Sequence, residues 1–75
     1  MKTYNGHRSW NAWNVALWIN NDESLYNHAL DCLSTSKGNT RRATRKFLNT
    51  VDSKTPDGAR YNYLSVFNTL EDLNN

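Results

Sequence analysis

TRRATRKFLNTV, residues 40–51, has the clearest amphipathic pattern in the sequence. Ala43 and Phe47 are four positions apart, and the other apolar residues of the stretch fall on the same side of a helix. The arginines and the lysine point roughly the opposite way. This pattern predicts an amphipathic helix that begins at Asn39 or Thr40 and packs its apolar face into a core.

Working toward the N-terminus, a tryptophan-rich helix is predicted after the turn signal Asn5-Gly6. Ser9 is placed to cap it, and it runs to about Asn20. Apolar residues almost encircle this helix, so it is either central to the fold or partly buried in a partner. We expect one stripe of it to pack in the core: Trp10, Trp13 and Leu17.

Two more helices complete the prediction. One follows the break at Asn20–Asp22, shows apolar residues at amphipathic spacing through Leu33, and ends at Gly38 in a left-handed cap. The last follows Thr55–Gly58, which is either a turn or a cap with proline in the first helical turn. Its expected buried face consists of Tyr63, Val66, Phe67, Leu70 and Leu73. Polar and apolar residues also alternate over much of Arg60–Val66. A short strand near 60–66 is therefore the competing interpretation.

The length of 75 residues leaves material for one core, so we expect a single helical domain over 1–75, an all-α compact bundle of about four short helices. Aromatic residues make up 12% of the chain and offset its small size. Cys32 is the only cysteine, which fits a reducing compartment. The apolar run Val15–Ile19 is far below the roughly 20 residues of a membrane span, so we expect a cytoplasmic protein that does not enter a membrane.

Positive charge is concentrated in residues 37–60, which carry seven basic and two acidic residues. The segments before and after it are net negative. The densest cluster consists of Lys37, Arg41, Arg42, Arg45 and Lys46. Such a cluster suits an anionic partner, either nucleic acid or an acidic protein surface, and the competing interpretation is a solvated helix face.

Trp18 and Tyr61 are further candidates for partner contact, because Trp18 points away from the expected core stripe and Tyr61 lies beside Arg60. His28 and Cys32 are four residues apart on one helix, with His7 as a distant third ligand. Without a second ligand pair we expect no metal and no cofactor. A helical domain this small also leaves little room for a catalytic cleft, so we expect no enzyme activity.

Residues 4–21 read YNGHRSWNAWNVALWINN. The segment resembles a motif of small bacteriophage and mobile-element proteins, whose usual form is Tyr-Asn-Gly-Trp, then Asn-Tyr-Glu-Thr-Trp, then Leu-Trp-Leu and an Asn-rich break. Tyr4–Gly6, Trp13 and Leu17–Ile19 match it. His7 replaces the first tryptophan, and Asn11-Ala12 replaces the Glu-Thr pair. The resemblance implies a shared core scaffold.

Small phage proteins often inhibit host defence complexes, so the resemblance implies an inhibitor of the anti-CRISPR or antirestriction kind. The leading interpretation is a protein that binds a bacterial defence complex, first of all a CRISPR effector, in the cytoplasm of an infected bacterial host and blocks it sterically. One alternative is a small nucleic-acid-binding regulator that uses the basic helix 40–51. Another is a structural phage protein that self-associates through its first helix.

Overall fold

Four α-helices make up most of residues 9–74, the part of the chain that the computed structural model describes. They are α1 (Trp10–Asn21), α2 (Glu23–Thr35), α3 (Thr40–Thr50) and α4 (Tyr63–Asn74). No strand forms between Ser9 and Asn74, so the prediction of an all-α bundle of about four helices is confirmed. None of these helices has both the length and the apolar character that crossing a bilayer requires.

A side chain caps the N-terminus of every one of these helices. In each case a side-chain oxygen accepts a hydrogen bond of 2.8–3.1 Å from the backbone N–H three residues later. The caps are Ser9, Asp22, Asn39 and Asn62. Each cap satisfies one of the N–H groups that a helix start leaves without an intrahelical partner. The predicted cap at Ser9 is confirmed, and α3 begins at Thr40, one of its two predicted starts, with Asn39 as its cap.

The helices close into a four-membered arrangement in which α1 and α3 are diagonally opposite. Both α1 and α3 pack against α2 and α4, and among the described residues they make no contact with each other. Phe47 is the largest fully buried side chain. The core consists of Val15, Ile19, Ala29, Cys32, Leu33, Ala43, Phe47, Ala59, Val66 and Leu70.

The predicted core stripe of α1 is wrong. Val15 and Ile19 are fully buried, whereas Trp13 and Leu17 are half-buried and Trp10 is 40% exposed. The two stripes lie on opposite sides of the helix, and both are apolar. The core has little free volume, because three alanines let the backbones approach closely and Phe47 fills much of the remaining space. The smaller branched side chains of Val15 and Ile19 therefore occupy it.

The alternation in residues 60–66 does not produce a strand. Arg60 forms one isolated antiparallel bridge with Lys54, and α4 starts three residues later. Tyr63, expected on the buried face, is 40% exposed because it is the first residue of α4, and its ring stacks on Phe67 with centroids 5.8 Å apart. Val66 and Leu70 of the same predicted face are fully buried.

Thr55–Gly58 forms a turn, closed by the bond from the Gly58 N–H to the Thr55 carbonyl at 2.9 Å. The alternative of a proline in the first turn of α4 is therefore wrong, since α4 starts at Tyr63. Gly58 has φ +95° and Gly38 has φ +78°, so both adopt the left-handed conformation that glycine reaches without steric cost. The prediction that Gly38 is the left-handed cap of α2 is wrong by one position: α2 ends at Thr35, Ser36 is its C-cap, and Lys37 with φ +55° is the left-handed residue that follows, with Gly38 after it donating to the Leu33 carbonyl.

Candidate partner-binding surfaces

Three arginines form an exposed basic surface at the start of α3. Arg41, Arg42 and Arg45 are exposed, and with the capping residue Asn39 they line a cavity of about 240 Å³. We call this set of four residues the arginine face. Within residues 9–74, no carboxylate pairs with any of the three guanidinium groups. Their charges therefore point at solvent and can meet an external anion.

The position of the arginine face strengthens its positive character. The first backbone N–H groups of a helix carry partial positive charge, so basic side chains placed there raise the free energy of the isolated helix. The first turn of α3 contains no acidic residue to compensate. An anionic group in the cavity would interact favourably both with the guanidinium groups and with the helix end.

The two lysines of the predicted basic cluster lie outside the arginine face. Lys46 is half-buried, and its Nζ donates a hydrogen bond of 3.1 Å to Oγ1 of Thr35 on α2. Lys37 is exposed in the turn after α2, with φ +55°. The structure thus brings three of the five predicted basic contact residues together and directs Lys46 toward the α2–α3 interface.

Trp18 and Tyr61, the two aromatic residues predicted to contact a partner, lie in one surface cavity of about 540 Å³. Leu25 and Val51 contribute apolar walls, and the C-terminal end of α3 forms one side. We call this cavity the aromatic groove. Both aromatic rings are half-buried, so part of each faces the groove and part packs on the protein.

Hydrogen bonds from α1 hold the loop that forms one wall of the aromatic groove. Asn14 Nδ2 and Trp18 Nε1 each donate a bond of 2.9 Å to Oδ2 of Asp57. The Thr55 hydroxyl donates a bond of 2.6 Å to Asn14 Oδ1. These hydrogen bonds, first that from Asn14 and then that from Trp18, lower the pKa of Asp57 below its ordinary value.

One turn earlier on α1, the side-chain amide of Asn11 binds the backbone of the same loop. Its Nδ2 donates to the Arg60 carbonyl at 2.9 Å, and its Oδ1 accepts from the Arg60 N–H at 2.7 Å. Sequence reasoning missed Asn11, Asn14 and Asp57 as residues that shape a binding surface. The usable signal was the pair of asparagines three positions apart on an otherwise apolar helix, since a polar side chain there needs a tertiary partner.

Tyr61 is fixed against the core and lies near negative charge. Its ring meets Phe47 edge-on, with centroids 6.0 Å apart. Burial raises the pKa of the Tyr61 hydroxyl, and the negative charges of Asp22 and Asp52 raise it further. The hydroxyl therefore stays protonated at neutral pH, and both carboxylates line the groove beside it.

His28 and Cys32 pack between α2 and α3 and form no metal site with a third ligand in the described chain. Nε2 of His28 lies 3.8 Å from Sγ of Cys32 and contacts the hydroxyl of Thr50. Residues 9–74 contain no group of three or more His, Cys, Asp or Glu side chains that could hold a metal ion, and His7 lies outside them. Burial, followed by the Asp31 charge, raises the pKa of the Cys32 thiol, which keeps it protonated.

Comparisons with known proteins give a family without an assigned activity. No curated protein and no solved structure matches the chain. One family model matches residues 1–74, which is almost the whole sequence. The chain belongs to DUF7249, a family of unknown function.

Proposed function

We propose that the protein is a small binding protein, not an enzyme, that inhibits a bacterial defence complex by steric obstruction. A CRISPR effector is the first candidate for the target. The observation that carries the proposal is the arginine face: three exposed guanidinium groups around one cavity, with no partner for them among residues 9–74. The phage setting rests on the resemblance of residues 4–21 to a motif of small phage proteins.

The sign of the exposed charge decides how such an inhibitor would act. A cationic face is a poor imitation of DNA, so the protein would not pose as a duplex substrate. It would grip an acidic patch through paired Arg–carboxylate hydrogen bonds or occupy the path that nucleic acid follows through the complex. Either contact obstructs the complex without chemistry.

A phage-plating assay tests the proposal. Bacteria that carry an active CRISPR system and a spacer against a phage express the protein, and we expect phage plating to be restored. The double variant Arg41→Glu with Arg45→Glu should abolish restoration, because it replaces attraction to an anionic target by repulsion. Arg60→Glu is the control, matched to the single variant Arg41→Glu, since it makes the same charge change at an exposed residue that lines neither the arginine face nor the aromatic groove.

Restoration by wild type and control, but not by the arginine double variant, supports inhibition through the arginine face. Full activity of the arginine variant, with its helical circular dichroism intact, would contradict the proposal that the arginine face binds the target. Failure of the wild-type protein to restore plating against any CRISPR type contradicts the choice of target. Affinity capture with and without nuclease then separates a protein contact from one mediated by nucleic acid.

The arginine face also favours a second candidate function, a nucleic-acid-binding regulator that uses α3 against phosphate groups. Salt dependence distinguishes the two. Contacts from three arginines to duplex phosphates would give a slope of about −2.7 in log affinity against log salt concentration. An inhibitor that binds protein should bind its target complex far more tightly than it binds bare DNA at the same salt concentration.

A further inference from the structure

The aromatic groove has the opposite electrostatic character to the arginine face. Two carboxylates, Asp22 and Asp52, line it, together with one lysine, Lys54. Asp52 is exposed and forms no hydrogen bond or ion pair within the described part of the chain. The groove therefore presents a carboxylate that has no ion-pair partner among residues 9–74 beside two aromatic rings.

Two helix ends add negative potential to the groove. The last turn of α1 contributes Trp18, and Thr50 and Val51 lie at the end of α3. The final carbonyl groups of a helix carry partial negative charge, and neither helix has a basic residue in its last turn. The N-terminus of α2 also faces the groove, and the carboxylate of Asp22 caps it by accepting from the Leu25 N–H at 3.0 Å.

Both aromatic rings are held in place before any ligand arrives. The indole of Trp18 is fixed by its hydrogen bond to Asp57, and Tyr61 is fixed edge-on against Phe47. Aromatic faces attract cations through the ring quadrupole, and rigid rings lose little conformational freedom on binding. Aromatic walls, carboxylates and helix C-termini all favour the same class of ligand, a side chain with an apolar stem and a positively charged end.

We propose that the aromatic groove binds an arginine side chain presented by a partner protein. Arginine fits better than lysine because its planar guanidinium group can stack on Trp18 or Tyr61 while it donates to a carboxylate such as Asp52. A purely apolar side chain would leave Asp52 without a partner inside the contact. This site lies outside the arginine face, and it goes beyond the proposed function because it needs no particular target complex.

The test uses NMR spectra of the full chain titrated with a blocked Gly-Arg-Gly tripeptide, acetylated and amidated at its ends. Arginine binding should shift the indole N–H of Trp18 and the backbone amides of Tyr61 and Asp52. A twin peptide with citrulline, which has the same shape without the charge, should cause no saturable shift. Asp52→Asn should weaken binding of the arginine peptide about fivefold, the size expected for one exposed charge pair.

Asp72→Asn is the matched control, because it removes an exposed carboxylate from α4 that does not line the groove. Its affinity for the arginine peptide should equal that of the wild type. The proposal is overturned if citrulline binds as well as arginine, if the shifts centre on residues outside the groove, or if Asp52→Asn and Asp72→Asn behave alike. None of these measurements involves a defence complex, so the groove can fail while the proposed inhibition stands, and the reverse.

Discussion

Asn14 links the first helix to the loop before the last one with both ends of a single amide. It is 1% exposed, its Nδ2 donates to Asp57, and its Oδ1 accepts from the Thr55 hydroxyl. Thr55 is itself buried, and its hydroxyl also accepts from the Ala59 N–H at 3.0 Å. A buried amide is tolerated only when its donor and acceptor are both paired. Asn14 therefore fixes the position of the loop.

We expect Asn14→Ala to lower the free energy of unfolding by about 2 kcal/mol, because Thr55 then loses its acceptor inside the protein. Urea unfolding followed by circular dichroism measures the change. Asn27→Ala on the exposed side of α2 is the control, since it brings the same gain in helix propensity without removing a buried amide. Equal midpoints for the two variants would show that the Asn14 contacts do not stabilise the fold.

The basic residues show what can be predicted for single side chains. The clustering and helical spacing of Arg41 and Arg45 placed both on one exposed face, and the structure agrees. Lys46 was grouped with them by the same spacing, but its ammonium group reaches Thr35 on the neighbouring helix. A long flexible side chain follows the packing of its neighbours, which spacing along one helix does not describe.

At the scale of elements, α3 and α1 differ in how well their buried faces could be predicted. The polar side of α3 is almost continuous, so its apolar residues can point only one way, and Phe47 is fully buried as expected. α1 is apolar on nearly every side, so periodicity does not choose between the stripe of Trp13 and that of Ile19. Tertiary packing decides which stripe is buried, because only a small volume remains between the other helices and it holds the stripe of Ile19.

Residues 60–66 show how a local pattern can favour two structures. Their alternation suits a strand, but a strand needs a neighbour to pair with, and only Lys54 bridges Arg60. Asn62, two residues after Arg60, caps α4 instead: its Oδ1 accepts a hydrogen bond of 2.8 Å from the Ser65 N–H. The cap and the apolar period of Val66 and Leu70 decide for helix.

The turn between α3 and α4 depends on Gly58. Replacement by alanine should cost about 1 kcal/mol of stability, because a Cβ atom disfavours a φ of +95°. An added Cβ would meet no atom within 4 Å, so the loss comes from the backbone alone. Gly58→Asn should cost less than Gly58→Ala, since asparagine tolerates the left-handed region. Thermal unfolding of both variants measures the order, and the reverse order would contradict a backbone origin.

For the molecule as a whole, Phe47 is the largest fully buried side chain of the described core. It is fully buried, and its ring lies 5.2 Å from that of His28 and 6.0 Å from that of Tyr61. Domains of this size bury a smaller fraction of their surface than larger domains do, and they have little stability to lose. Phe47 therefore joins α3 to α2 and to the segment that precedes α4, and the loss of its packing would remove a large share of the available stability.

Phe47→Ala should lower the free energy of unfolding by about 4 kcal/mol, since it removes a ring and leaves a cavity. We expect most of the variant protein to lose its near-ultraviolet circular dichroism at 25 °C. Phe67→Ala is the control, because Phe67 is half-buried and packs at the edge. Similar losses in the two variants would mean that the core is not organised around Phe47.

Helix α3 carries the arginine face at its first residues and a wall of the aromatic groove at its last. At 1.5 Å of rise per residue, Arg41 and Thr50 are separated by about 14 Å along the axis. A partner that engages both ends must present an acidic and a basic feature at that spacing and in that order. A partner bound in the reverse orientation would place like charges next to each other, so α3 would fix the orientation of the partner as well as the spacing of its two charged features.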